Sequence, residues 1–180
     1  MSDLVLCSGG IDSATLAAQL SNVGETPELC FIDYGQPAAG GEFRSVCSIA
    51  KNLRMSVLRT HVAGLDVPDK GEITARNLML ITLALAMRPS ARSIALGIHA
   101  GTGYRDCSLE FVDLIQKVLD FHRDGTCRLV APFVDWSKAD VLALAIVLDV
   151  PIELTHSCES GDEPCGSCRS CRDREVLLAG

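Results

Sequence analysis

Two short stretches of this 180-residue chain carry residue types and spacings that can do chemistry. The first is Ser8-Gly9-Gly10-Ile11-Asp12-Ser13, which follows the apolar run LVLC and precedes a helix-forming stretch. Two consecutive glycines take positive φ cheaply and let the backbone approach a ligand closely. Successive amides then face one concavity, and the next helix adds its positive end. The hydroxyls of Ser8 and Ser13 supply further donors, so the turn suits a polyanion. Asp12 would repel a bare phosphate; it makes sense if Mg²⁺ bridges it to the phosphates. The pattern is neither the Walker loop nor the dinucleotide fingerprint. A structural reading stands beside this one: Gly-Gly makes a turn, and Asp12 or Ser13 caps the helix.

The second stretch holds Cys158, Cys165, Cys168 and Cys171 in the spacing C-x6-C-x2-C-x2-C. Gly161, Pro164 and Gly166 turn the backbone between them, and the two C-x2-C steps share Cys168, so one ion must collect all four sulfurs. A closed tetrahedral Zn²⁺ site is the expected use, with an iron–sulfur cluster or redox-active thiols as alternatives. Four protein ligands leave no open position, so the metal is expected to staple the C-terminal element and not to react.

These stretches need elements to position them. The chain is 48% hydrophobic but only 4% aromatic, so aliphatic side chains must fill the core, which suits helices packed on a sheet. Strand-like runs lie at residues 4–7, 29–32, 56–60, 93–98 and 128–133. Helical periodicity lies between most of them: Phe43, Val46, Cys47, Ala50 and Leu53, then Val112, Ile115, Val118, Leu119 and His122. Ser137 and Asp140 approximate a capping box for a helix that Pro151 closes. The segment 74–87 is apolar all round and should lie deep against the sheet. Strands alternating with helices predict an α/β fold: a Rossmann-like open parallel sheet with helices on both faces. Beyond residue 154 the composition shifts to Cys, Gly, Ser and charge, which divides a domain at 1–154 from a small zinc-binding element at 155–180. In such sheets ligands bind at the carboxyl ends of the strands, where Ser8 to Asp12 fall.

Bulk properties exclude some functions. A net charge of −7 with no basic run disfavours direct binding to nucleic acid. The longest apolar stretch, residues 78–87, is far short of a membrane span. With no signal-like start, the cytoplasm is the expected compartment. There nine cysteines, an odd number, are not a disulfide framework. The five outside the cluster, Cys7, Cys30, Cys47, Cys107 and Cys127, read as small core residues.

The Ser-Gly-Gly-x-Asp-Ser turn after a first strand resembles the pyrophosphate loop of N-type ATP pyrophosphatases. With DYGQ (33–36), ARN (75–77), YRDCSLEF (104–111), SKADV (137–141) and ELTHSCESGDEPCGSCRSC (153–171) in one order, the chain resembles the 7-cyano-7-deazaguanine synthase family over nearly its whole length. The resemblance implies an ATP- and Mg²⁺-dependent ligase. It would convert 7-carboxy-7-deazaguanine and ammonia to the nitrile, in two activations by adenylation. It also implies a homodimer, structural zinc, and roles by position. Leu6, Cys7, Ser8, Gly9, Gly10, Ile11, Asp12 and Ser13 would bind ATP together with Asp33, Tyr34, Gly35 and Gln36. Asp12 and Lys138 would be catalytic. Arg76, Asn77, Gly97, His99, Tyr104 and Asp106 would meet the deazaguanine acid.

The chain departs from the family in loops expected to face that substrate. It is some tens of residues shorter, and GIHAGTGYRDC stands where relatives usually read roughly G-V-N-A-E-D-Y-S-G-Y-P-D-C. His99 replaces an Asn, PAAGGEF replaces basic and His residues after DYGQ, Ser108 replaces an Arg, and His156 replaces a Trp. A second reading follows: the activated acid passes to another amine, on a protein or a nucleic acid, in a modification or defence pathway. A third, an inactive interaction module built on the zinc knuckle, has the intact Asp12 and both serines against it.

Overall fold

A computed structural model describes residues 3–68 and 73–179. Five parallel strands form one sheet in the order β3-β2-β1-β4-β5. They are β1 (Leu4–Leu6), β2 (Glu28–Asp33), β3 (Val57–His61), β4 (Ser93–Leu96) and β5 (Arg128–Val130). Helices α1 (Ile11–Asn22), α2 (Ala39–Leu53), α3 (Arg76–Met87), α4 (Leu109–Arg123) and α5 (Lys138–Val147) connect or follow them. A C-terminal helix, α6 (Arg169–Ala179), closes the described chain.

Strand pleating explains why the runs read as continuously apolar. Successive side chains point to opposite faces, and both faces are covered. Val5, Leu29, Phe31 and Ala95 point to the layer of α1, α2 and α5, where Leu16, Val46, Ile49 and Val141 are buried. Leu4, Leu6, Cys30, Ile32, Ile94 and Leu96 point to the layer of α3 and α4, against Ile81, Ile115 and Leu119. Each Val, Leu, Ile and Phe side chain among them contributes roughly 1.5–3 kcal/mol on burial.

The expected α/β architecture is the observed one, with local differences. β4 and β5 end two and three residues earlier than the apolar runs, because residues 97–99 and 131–133 leave the sheet as connections. The helix α3 buries only Asn77, Ile81 and Ala84, since it packs on a sheet face with one side. Cys47 is exposed, whereas Cys7, Cys30, Cys107 and Cys127 are buried as expected. On α2 the neighbours Val46 and Ala50 define the inward face, and Cys47 lies beside it. The helix α6 has no counterpart among the expected elements; it starts inside the cysteine knuckle, between Cys168 and Cys171.

The two ends of the sheet differ in chemistry. At the amino ends of the strands lies a cavity of about 550 Å³ lined by Asp3, Glu28, Arg88 and Arg92 among others. Its arginines are engaged: Arg88 with Glu28 at 2.8 Å, Arg92 with Asp3 at 2.9 Å. The carboxyl ends gather Asp12, Lys138, His99 and Arg76, of which Arg76 carries a buried Nε with no hydrogen-bond partner. No helix among the described residues is long and apolar enough to cross a membrane.

Candidate functional site

The reversal of strand order falls between β1 and β4, so the loops after these strands flank a crevice at the carboxyl edge. Residues 7–10 form the first loop. Gly9 has φ +77°, and a Cβ there would lie 2.7 Å from the Glu42 carbonyl oxygen and 2.7 Å from Ser45 Cβ. Glycine is thus required twice over, by conformation and by space. Gly10, expected to share the positive φ, is extended at φ −76° and is the N-cap of α1.

The structural reading of Asp12 and Ser13 as caps fails. No side chain caps α1, because both point elsewhere. Ser13 is buried; its hydroxyl donates to the Gly10 carbonyl at 3.1 Å and accepts from Cys7 Sγ at 3.6 Å. Asp12 faces the crevice, where Lys138 Nζ donates to Oδ1 at 2.6 Å and Oδ2 at 2.7 Å. An α-helix start leaves its leading amides without helical acceptors, and here that start opens beside Ser8, which is exposed. Leu6, Cys7 and Ile11 are buried and reach this edge only through their main chain.

Lys138 is the first residue of α5 and owes its position to the cap before it. Ser137 Oγ accepts from the Asp140 amide at 3.2 Å, while Asp140 Oδ2 accepts from the Ser137 amide at 2.9 Å. This is the capping box the spacing predicts. The Ser137 hydroxyl and amide hold the Asp140 carboxyl below its ordinary range. From β4, Gly97 lets the chain run against α1; a Cβ there would meet the Asp12 carbonyl oxygen at 3.0 Å. His99 follows, with Nε2 3.9 Å from Asp12 Oδ2 and Nδ1 2.5 Å from the Ala100 carbonyl. Asp12, Lys138, Gly97 and His99 therefore come together.

A second group surrounds the end of β2. Asp33 Oδ1 accepts from the Gly35 amide at 3.2 Å, in a turn that Gly35 makes at φ +86°. Arg59 and His61 of β3 stand 3.2 and 3.4 Å from the Asp33 carboxylate. Burial raises the Asp33 pKa, but the Gly35 amide, Arg59 and His61 outweigh it and hold the carboxyl low. The Tyr34 amide donates to Gln36 Oε1 at 2.9 Å, and Gln36 Nε2 donates to Glu42 Oε2 at 2.7 Å. Burial pushes the Glu42 carboxyl up, against Gln36 and Arg76, which favour its charge. Arg76, at the start of α3, has its Nε buried with no hydrogen-bond partner. That orphaned donor beside Tyr34 and Glu42 is a ready contact for an anion.

Asn77 and Asp106 turn to each other. The Asn77 amide donates to Asp106 Oδ2 at 3.2 Å, and Asn77 Nδ2 donates to the Asp106 carbonyl at 3.0 Å; both residues are buried. Asp106 thus ties the start of α3 to the turn before α4. Tyr104 lies on that turn, partly exposed. Sequence reasoning missed Glu42, Ser45, Arg59 and His61. Only Glu42 left a trace, as an acid in the first turn of the helix after DYGQ.

At the C-terminus the four cysteine sulfurs lie within 4.8 Å of one another. A four-thiolate ion with bonds of about 2.3 Å needs sulfurs about 3.8 Å apart, and Cys165 and Cys171 are at 4.0 Å. Backbone amides aim at the sulfurs: Ser160 to Cys158 at 3.4 Å, Cys168 to Cys165 at 3.3 Å, and Cys171 to Cys168 at 3.4 Å. Such donors favour the charged form of a thiol: the Ser167 hydroxyl, with the Ser167 and Cys168 amides, holds the Cys165 thiol at about 5, while burial pushes the Cys171 thiol up to about 12. The donor set fits one metal ion.

The family model described as "Queuosine biosynthesis protein QueC" matches residues 60–179, two thirds of the chain. The chain is 34% identical to the 7-cyano-7-deazaguanine synthase of Synechococcus sp. (strain RCC307), over 97% of this chain and 93% of that protein. The chain belongs to the QueC family. Similar matches come from Gloeothece citriformis (strain PCC 7424), at 33% identity over 98% and 91% of the two chains, and Methanosphaerula palustris, at 31% over 99% and 95%. The Synechococcus alignment runs over 207 positions against 180 residues, so this chain lacks residues that the relative has. Solved structures share the fold. An NMN synthetase from Francisella tularensis superposes with a TM-score of 0.59 at 17% identity, covering 97% of this chain and 72% of its own. A predicted subunit of tRNA methyltransferase from Methanocaldococcus jannaschii gives 0.58 at 19%, over 81% and 74%.

Proposed function

We propose that this QueC-family chain is an ATP-dependent ligase that makes 7-cyano-7-deazaguanine from 7-carboxy-7-deazaguanine and ammonia. The observation that carries the proposal is the convergence of Asp12, Lys138 and the leading amides of α1 at the switch point of the sheet. Family membership supports the substrate, and the geometry supports nucleotide chemistry.

In this reading the loop amides from Ser8 to Ser13 bind the β- and γ-phosphates. Lys138 leaves Asp12 for the phosphates and offsets their charge as pyrophosphate departs. Asp12 would hold Mg²⁺, which would neutralise the charge of the bound phosphates. The substrate carboxylate attacks that phosphorus and expels pyrophosphate. Ammonia attacks the acyl carbon and expels AMP, leaving the amide and losing a proton to solvent or a nearby base. The amide oxygen then attacks a second ATP and expels pyrophosphate, and loss of AMP and both N–H protons gives the nitrile. One site serves both activations because each begins with oxygen attacking phosphorus. Asp33 to Gln36 border the nucleotide, and Arg76, through its orphaned Nε, meets the acid. Asn77, Gly97, His99, Tyr104 and Asp106 shape the pocket. Catalysis rests on positioning and charge. The Cys158, Cys165, Cys168 and Cys171 thiolates hold Zn²⁺ in a structural role, and the enzyme works as a homodimer in the cytoplasm.

The test is incubation with ATP, Mg²⁺ and 7-carboxy-7-deazaguanine, with and without ammonia, followed by mass spectrometry. Ammonia-dependent nitrile with two AMP per product is expected. Accumulation of the AMP adduct without nitrile would assign the chain to transfer onto another amine. Absence of any nucleotide turnover sinks both readings.

A further inference from the structure

Gly9 is held from outside its own loop. The Ser45 hydroxyl of α2 lies 2.8 Å from the Gly9 carbonyl oxygen and 2.5 Å from that of Leu154, sharing its proton between them. The His156 amide donates to the same Gly9 oxygen at 2.8 Å. In a trans peptide the carbonyl and the next N–H point in opposite directions. Fixing the Gly9 carbonyl inward therefore fixes the Gly10 N–H toward the crevice. The strap that does this, residues 154–157, leads directly into Cys158.

Two further contacts tie the strap to the cysteine element. Arg174 of α6 donates to Thr155 Oγ1 at 2.6 Å, to Ser157 Oγ at 3.2 Å and to the Ile152 carbonyl at 2.6 Å. α6 contains Cys171, so the converged sulfurs set where Arg174 stands. Asp162, in the loop between Cys158 and Cys165, docks on the start of α2. Its Oδ1 accepts from the Gly41 amide at 2.8 Å, and Arg44 bonds its carbonyl at 2.9 Å and its carboxylate at 3.4 Å. The seam has no room for side chains: a Cβ on Gly41 would lie 2.7 Å from both the Asp162 carbonyl oxygen and His156 Cε1. The glycines of the run AAGGEF are accounted for by this docking.

We propose that the cysteine element is a positioning part of the phosphate-binding loop, acting through Asp162, His156 and Ser45 on the Gly9 peptide. The inference rests on the reading that this loop binds the pyrophosphate part of ATP. Metal occupancy then sets nucleotide affinity from a distance, through one carbonyl.

Asp162→Ala and Arg44→Ala break the seam without touching a cysteine or the crevice. Arg169→Ala, which breaks only the exposed Arg169–Asp173 pair at 3.6 Å, is the control. Three quantities are read: metal content by mass spectrometry, binding of inorganic pyrophosphate and of a non-hydrolysable Mg-ATP analogue by calorimetry, and hydrogen exchange of a peptide spanning residues 7–16. The seam variants should keep the metal, bind both ligands at least threefold more weakly and exchange faster at 7–16, with the control unchanged. Wild-type affinity and exchange in both metal-loaded variants would overturn the proposal. Should Asp162→Ala lose its metal, Arg44→Ala decides alone. If the wild-type protein binds neither ligand, the nucleotide reading fails, and exchange at 7–16 still decides whether the element positions the loop.

Discussion

Asp12 has its full charge matched by one partner. Lys138 holds both carboxylate oxygens, so the pair must open before either group can serve a cation or a phosphate. Lys138→Met is expected to lower kcat/KM for ATP by about 10²–10³-fold, in line with the loss of one preorganised charge at a reacting centre. Lys138→Arg should recover little, since a planar guanidinium cannot replace a compact ammonium at this spacing. Steady-state kinetics with varied ATP checks both. Gly9→Ala tests the loop itself: left-handed backbone costs an alanine about 1–2 kcal/mol, and the 2.7 Å approaches to Glu42 and Ser45 add to it. Urea denaturation should show a lower midpoint with an unchanged slope.

At the level of elements, α5 and the cysteine knuckle are the two that deliver groups. Ser137→Ala removes half of the capping box and should cost about 1 kcal/mol. It should also raise KM for ATP, because Lys138 sits on the first turn the box fixes. The box and the cysteine spacing were legible in the sequence because each is a local pattern set by a few residues. The same holds for the Gly-Gly turn. What was not legible depends on distant packing: Gly40 and Gly41 look like loop residues until Asp162 lands on them. Asp12 looks like a cap until a lysine 126 positions away claims it. Cys47 reads as core by period, yet its place on α2 beside the buried Val46 leaves it exposed. Strong chelation is expected to melt residues 158–179 first, since among the described residues of this element only Leu177 packs on the main core and the thiolate site supplies the rest of its cohesion. Far-UV circular dichroism should lose the signal of a short helix, α6, while the sheet persists.

For the molecule as a whole, two sets of carboxyls respond to pH in opposite senses. Asp33, Asp140 and Asp162 bind protons less readily when folded than an ordinary carboxyl. Their stabilisation is present at neutral pH and is lost as pH falls through their folded values. Glu42 is raised by burial, so the folded state holds its proton longer and stability falls as pH rises past the ordinary glutamate range. Glu42→Gln should therefore be more stable than wild type at pH 7, with the gain shrinking toward about pH 4. Denaturation midpoints across that range check the sign, and an accompanying loss of activity would mark Glu42 as part of the site near Arg76.

The strand order has a consequence for synthesis. β1, made first, is the middle of the sheet, and its β4 neighbour comes some ninety residues later. One side of that central ribbon must stay unzipped on the ribosome while three helices emerge. Asp3, which both Arg92 and Ser93 will seize, waits with it. A bulky fusion ahead of Asp3 would crowd this late closure, so a purification tag belongs elsewhere.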